Sequence, residues 1–169
     1  MTNRFWPEFY TLSVAKITVI GTGYVGLSTG ACLAHLGHQV ICADIDETKI
    51  ASLIAGQVPI VEDGLDALVA DGLSSGNLVF TTDVVGAAAT GEIVFLCLPT
   101  PQGDDGSADL SYVHSVVEQI GGILPAGAVL VNKSTVPVGT GAEVAARIGR
   151  GDVHIVSNPE FLRQGTAVH

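Results

Sequence analysis

The residues best suited to chemistry sit in four short runs, and the first is Gly21-Thr22-Gly23-Tyr24-Val25-Gly26, with Asp44 placed 23 residues after Gly21. It follows the β-branched run Ile17-Thr18-Val19-Ile20, and it opens a stretch with helical character. In that context the glycines have separate tasks: Gly21 permits a tight turn, Gly23 lets backbone approach a diphosphate, and Gly26 lets a helix pack closely on a sheet. A helix starting there points unpaired N–H groups and its positive dipole end at an anion. Asp44 closes a second apolar run and would accept hydrogen bonds from ribose hydroxyls. Its charge would repel a 2′-phosphate, which favours NAD over NADP. Tyr24 and Val25 belong to the same diphosphate loop, and Lys49 would lie near the ribose end of the dinucleotide. The same arrangement also has a purely structural reading, a glycine turn that packs a helix on a sheet with no ligand.

The other three runs are Leu98-Pro99-Thr100-Pro101, Lys133-Ser134-Thr135-Val136-Pro137 and Asn158-Pro159-Glu160-Phe161-Leu162-Arg163-Gln164. Each leaves the end of an apolar segment that reads as a strand. Glu92 to Leu98 is near-continuously apolar, as a central parallel strand covered on both faces would be, and proline then forces the chain out of the ladder. Further strands are expected at Gln39–Ala43, 78–81, 128–131 and 153–156. Helices are expected from the glycine loop to Gly37, from Asp46 to about Ala55, around Leu65–Leu73, at 84–89, after Asp109, and from Gly139 to Ile148. Asp46, Asp83 and Asp109 read as helix caps. Strands and helices alternate six times, so the expected fold is α/β, a Rossmann-like doubly wound parallel sheet of about six strands with helices on both faces. Right-handed crossovers would bring all four runs to the carboxyl ends of the strands.

Composition limits the partners. The chain has 169 residues, 47% of them apolar and 14% charged, enough for one domain with a substantial core. A formal net charge of −10 argues against non-specific nucleic-acid binding, so a phosphate-bearing ligand must be held by local dipoles and a few cations. Cys32, Cys42 and Cys97 form no CxxC pair and read as buried reduced thiols of a cytoplasmic protein, inside a helix and two strands. No apolar run reaches the roughly 18 residues of a membrane span, and the five histidines lack metal-ligand spacing, so neither a membrane nor a metal site is expected. Residues 1–14 read as an extension preceding the first strand, with residues 15–169 as the dinucleotide-binding domain.

From Lys16 to His169 the chain resembles the N-terminal domain of the nucleotide-sugar dehydrogenases, of the UDP-glucose 6-dehydrogenase type. The resemblance is carried by GTGYVGL at Gly21–Leu27, LPTP at Leu98–Pro101, KSTVPVGT at Lys133–Thr140 and NPEFLRQG at Asn158–Gly165, with a lesser match in PIVEDGL at Pro59–Leu65. It implies a four-electron oxidation of a sugar C6 alcohol to a carboxylate, UDP-glucose to UDP-glucuronate, with two NAD reduced and a cysteine adduct in the second stage. It also implies a place in nucleotide-sugar metabolism and polysaccharide biosynthesis, and homo-oligomers among full-length relatives. The catalytic cysteine and a lysine of such enzymes lie in later domains, so the chain reads as truncated before the central helix and the C-terminal substrate domain.

Residue by residue, Gly21, Gly23, Tyr24, Val25, Gly26, Asp44 and Lys49 match cofactor positions, as do Pro99, Thr100 and Ser134. Thr135 matches a threonine that positions a water near the reacting carbon. Glu160 matches an acid that assists thioester hydrolysis, and Phe161, Leu162 and Arg163 match the substrate side. Gln164 stands where the family often has glutamate; it can hydrogen-bond a cofactor amide or ribose but cannot act as a base. Alternative readings are a stand-alone NAD-binding module and a fragment of a GDP-mannose-type dehydrogenase. Without the resemblance, Thr135 reads as a strand exit, Glu160 as a first-turn acid of a helix, and Lys49 and Arg163 as solvated helix residues.

Calorimetric titration is expected to show NAD binding and NADP binding weaker by at least about tenfold, a difference of about 1.4 kcal/mol. Gly23→Val should abolish both by blocking the backbone approach. Equal or tighter NADP binding would remove Asp44 from the ribose site.

Overall fold

The structure, a computed structural model, describes residues 13–103 and 106–168. The expected extension falls largely on residues 1–12, outside the described residues. Six strands form one sheet: β1 (Lys16–Ile20), β2 (Gln39–Ala43), β3 (Leu78–Thr81), β4 (Ile93–Leu96), β5 (Val129–Asn132) and β6 (His154–Ser157). Helix α1 (Tyr24–His35) joins β1 to β2, and α2 (Glu47–Ile54) with α3 (Leu65–Ser75) joins β2 to β3. The remaining crossovers are α4 (Val84–Ala88), α5 (Ser111–Ile120) and α6 (Thr140–Ile148). The strand order is β3-β2-β1-β4-β5-β6, every pairing parallel. The order reverses between β1 and β4, the crevice where doubly wound sheets bind ligands.

Alternating side chains divide the core into two layers. Ile17 and Val19 of β1 pack with Leu27 and Ala31 of α1, Ile50 and Leu53 of α2, and Leu65 and Val69 of α3. Ile20 of the same strand points the other way, into a layer with Ala87 of α4, Val113, Val117 and Ile120 of α5, and Val144 of α6. Thr18 faces that second layer fully buried, and its hydroxyl donates to the Ala87 carbonyl at 2.8 Å, so it costs no orphaned polar group. Asp46 and Asp83 cap α2 and α4 as expected, accepting from Lys49 N at 3.0 Å and Gly86 N at 2.8 Å. The register is what matters for function: Ile20 lies level with Ala43 and Leu96, Leu96 with Asn132, and Asn132 with Ser157. The exits at Gly21, Asp44, Cys97, Lys133 and Asn158 therefore start side by side.

Some boundaries differ from the sequence reading. Helix α1 stops at His35, short of Gly37, whose φ of 92° takes the chain out of the helix. The apolar run at 92–98 holds a strand of only four residues, because Cys97 and Leu98 already belong to the exit. Strands β5 and β6 begin one residue later than expected, since β-propensity marks a segment better than its end. Asp109 does not occupy the cap position of α5, which is Leu110; its carboxylate accepts from Ser111 N at 2.9 Å, two residues on, as an Asx turn does.

Helix α1 approaches β2 closely through Gly30, where a Cβ would overlap the Cys42 sulfur. Gly30→Ala should destabilise the fold by about 1–3 kcal/mol, the usual cost of overpacking. Removing the sulfur with Cys42→Ala should relieve it, giving a favourable coupling of about 1 kcal/mol in a urea-denaturation double-mutant cycle. Strict additivity would mean that the helix shifts freely.

Candidate functional site

The glycine loop is shaped as its spacing demands. Gly21 has φ 97° and sits under the Cys97 carbonyl, which a Cβ would overlap. Its N–H donates to the Ala43 carbonyl at 2.8 Å, tying the turn to β2. A Cβ on Gly26 would overlap the Gly21 carbonyl and press on the Cys97 side chain at 3.1 Å. Gly23 differs: a Cβ there meets nothing within 4 Å, and no side chain caps α1 at this residue. The open side of Gly23 and the uncapped helix start form a cradle for a diphosphate.

Asp44 lies beside this cradle in a dense set of donors. Its Oδ2 accepts from Thr22 N and Thr22 Oγ1, both at 2.8 Å, and from Lys49 Nζ at 2.9 Å. Oδ1 accepts from Asp46 N at 3.1 Å and retains a lone pair for a ribose hydroxyl. Burial works to raise this carboxyl's pKa, but the bonds from Lys49, Thr22 and Asp46 outweigh it and hold it below the ordinary value. Thr22 went unrecognised in the sequence, where it fills the variable position of the glycine motif.

A cavity of about 440 Å³ opens at these strand ends, within the range of small-molecule sites. Gly21, Gly23, Tyr24, Val25, Asp44, Lys49 and Pro99, residues that the sequence reading assigned to a cofactor, line it. Gly26, Thr100, Ser134, Thr135 and Gln164 do not line it. Gly26 acts through packing. Ser134 is buried, and its hydroxyl donates to Leu98 O at 2.8 Å and accepts from Leu98 N at 3.0 Å, so it braces two exits against each other. Thr100 Oγ1 donates to the Thr135 carbonyl at 3.0 Å, and the Thr135 residue is exposed. Helix α5 supplies a wall that the sequence did not announce: Tyr112, Ser115, Val116 and Gln119. Their spacing of three, four and seven residues was the available signal, masked by the apolar stripe on the other face.

Cys97 is also misplaced by the sequence reading. It stands one residue past β4 and lines the cavity, not inside a strand away from the loops. Burial pushes its thiol up to about 12, with Lys133 opposing weakly, so it is not an activated nucleophile. Burial likewise raises Cys32 and Cys42.

The last run crosses the same end of the sheet. Lys133 Nζ donates to Asn158 Oδ1 at 3.2 Å. Residues 158–163 have no regular structure, so Glu160 is not a first-turn helical acid; its Oε2 accepts from Leu162 N at 2.7 Å. Its charge contributes to holding the Tyr24 hydroxyl protonated, after burial and a bond to Glu62. Phe161 is 92% exposed, and Arg163 and Gln164 are exposed, while Leu162 is half-buried. Glu62 enters unannounced: the sequence reading quoted Pro59–Leu65 without assigning it a role. Its buried carboxylate accepts from Tyr24 Oη at 3.0 Å and from Gly165 N and Ala167 N, both at 2.6 Å.

Fold and site together define a dinucleotide-binding domain with the cofactor crevice at the β1/β4 switch point. The family model for the UDP-glucose/GDP-mannose dehydrogenase family, NAD binding domain, matches residues 15–169, and the chain belongs to that family. NAD is its cofactor, and the residues present fit it through the open Gly23 cradle and the free lone pair of Asp44. UDP-glucose 6-dehydrogenase of Rhizobium meliloti is 52% identical over 90% of this chain and 36% of its own length. Among solved structures, a UDP-glucose dehydrogenase from Pyrobaculum islandicum superposes with a TM-score of 0.83 at 38% identity, covering 92% of this chain and 38% of that one. GDP-mannose dehydrogenase from Pseudomonas aeruginosa gives 0.83 at 36% identity, covering 90% and 38%. The chain thus spans a little over a third of the length of the relatives it matches. Among the described residues no helix is long and apolar enough to cross a membrane.

Because the folded Asp44 pKa is lowered, its stabilisation is complete above the unfolded value of 3.8 and is lost as pH falls through the folded value. Asp44→Asn should cost about 1–2 kcal/mol at neutral pH. Urea titrations should show that deficit shrinking as pH drops below 3.8. A deficit independent of pH would mean that the charge is not what the donors hold.

Proposed function

We propose that this domain serves the NAD-dependent oxidation of a nucleotide-sugar C6 alcohol to a carboxylate, with UDP-glucose as the sugar nucleotide, in the cytoplasm. The single observation that carries this reading is the bracing of the four exits into one frame. Ser134 ties the β5 exit to the β4 exit, Lys133 ties it to Asn158 after β6, and Glu62 ties the following segment to the glycine loop. Groups suited to handling water and protons, Thr135 and Glu160, are thereby held at the same sheet end as the cofactor crevice. UDP-glucose is preferred over GDP-mannose on the 52% identity to the Rhizobium meliloti enzyme.

In this reading the α1 N-terminus and Gly23 hold the diphosphate, Asp44 and Lys49 hold the adenosine ribose, and α5 closes the adenine side. Bound NAD supplies the hydride acceptor. Thr135, exposed at the β5 exit beside the crevice, orients a water. Glu160 takes up a proton from that water when an acyl adduct is hydrolysed, a role open to a carboxylate that is only half-buried. Arg163, exposed beyond it, is free to meet a substrate phosphate.

A second reading, an NAD-binding module without turnover, is favoured by the thiols. Cys32, Cys42 and Cys97 all have raised pKa values, and covalent oxidation of an aldehyde needs an ionised thiol. One assay tests whether this polypeptide turns over by itself. The 169-residue polypeptide, given UDP-glucose and NAD, should form no NADH while still binding NAD by calorimetry. Formation of two NADH per sugar, lost in Glu160→Gln, would show that a partner or one of these thiols completes the site.

A further inference from the structure

Glu62 lies between α2 and α3 and is only 6% exposed. A buried carboxylate is tolerated only when donors surround it, and here they come from two distant places. Oε1 accepts Ala167 N–H at 2.6 Å, while Oε2 accepts Gly165 N–H at 2.6 Å and Tyr24 O–H at 3.0 Å. The two amides lie more than 100 residues downstream, and Tyr24 is the first residue of α1, next to Gly23. Burial alone would raise the Glu62 pKa, but the bonds from Gly165, Ala167, Tyr24 and Val168 outweigh it and keep the group ionised. Charge-assisted bonds this short are about twice as strong as neutral ones. Beyond them, Val168 packs on the apolar layer that contains Leu65. Little else among the described contacts holds the segment: its remaining hydrogen bonds run within itself, from Leu162 N to Glu160 and from Thr166 to Arg163.

We propose that Glu62 is a positioning residue that holds the 160–168 segment against the dinucleotide loop, and that its shared bond with Tyr24 links occupancy of that loop to the placement of Glu160. The linkage rests on the cofactor reading; the hold on the segment does not. A ligand at Gly23 that shifts the Tyr24 ring changes one donor to a carboxylate whose other donors, the Gly165, Ala167 and Val168 amides, all belong to the segment carrying Glu160.

Amide hydrogen exchange tests both parts, with and without NAD, on the wild type, Glu62→Gln and Tyr24→Phe. Gln offers one acceptor oxygen and turns an amide N–H₂ toward a backbone donor, so Gly165 and Ala167 should exchange at least about tenfold faster. Amides of β1 and β4 should not change. Should Glu62→Gln loosen β1 and β4 as well, Ala167→Pro deletes one donor without touching the carboxylate and must free Gly165 in the same way. Tyr24→Phe should leave the segment's exchange without NAD within about twofold of wild type, but abolish the slowing that NAD produces there. Unchanged exchange at Gly165 in both Glu62→Gln and Ala167→Pro would overturn the hold. NAD-induced slowing that survives Tyr24→Phe would overturn the linkage. If calorimetry finds no NAD binding to the wild type while the exchange pattern without NAD stands, the cofactor reading and the linkage fall together and the hold remains.

Discussion

The carbonyl of Gly21 occupies the place where any Cβ at position 26 would stand. That single approach of backbone to backbone sets the rest of the binding end. It fixes α1 tight against the β1 exit, and it seats the exit beneath the Cys97 carbonyl at the end of β4. With α1 pinned at this distance, the helix start and its unpaired N–H groups face the crevice rather than the core. Gly30 repeats the close approach about one turn later, against the Cys42 sulfur, so α1 lies close to the sheet at two successive turns. Interiors at native packing density transmit such constraints instead of absorbing them.

The last residues of β1, β2, β4 and β5 are buried, but the loops that leave the β4, β5 and β6 ends are tied to one another by polar contacts. β6 is largely exposed, and its exit loop has little apolar anchoring. Ser134, Thr100, Lys133 and Glu62 each bridge two exits that are far apart in sequence. Polar bridges of this kind are individually modest but directional. They let the loops be short of side-chain packing and still hold a defined arrangement, which a site needs more than it needs depth.

For a chain with net charge −10, the acids at the binding end are well matched. Asp44 and Glu62 both have lowered pKa values despite burial, because backbone N–H groups, hydroxyls and one lysine converge on them. At Asp44 the Lys49 ammonium contributes most, joined by three bonds from Thr22 and Asp46, whereas Glu62 has no cation among its hydrogen-bond donors. An anionic protein can therefore bind an anionic cofactor, since its own charges near the crevice are already compensated by Lys49 and by backbone and hydroxyl dipoles.

How much was legible in advance follows from the range of the interactions. Local signals are written in adjacent residues: β-branched runs for the strands, Asp46 and Asp83 as caps, glycines at 21, 23 and 26 for the turn. These determined the six-fold strand–helix alternation, and with it the parallel sheet and the end of it that carries the site. Asp44 was readable because its distance from Gly21 is set by one crossover. Asp109 was misread because a cap and an Asx turn differ only in where the chain goes next. The tertiary structure decided what depends on contacts across the fold. Glu62 lies 103 residues before Gly165, and no periodicity links them. Ser134 turned inward as a brace, Cys97 came to line the crevice, and α5 turned Tyr112, Ser115 and Gln119 toward it, because strand register and helix rotation are settled only when both layers of the core are packed.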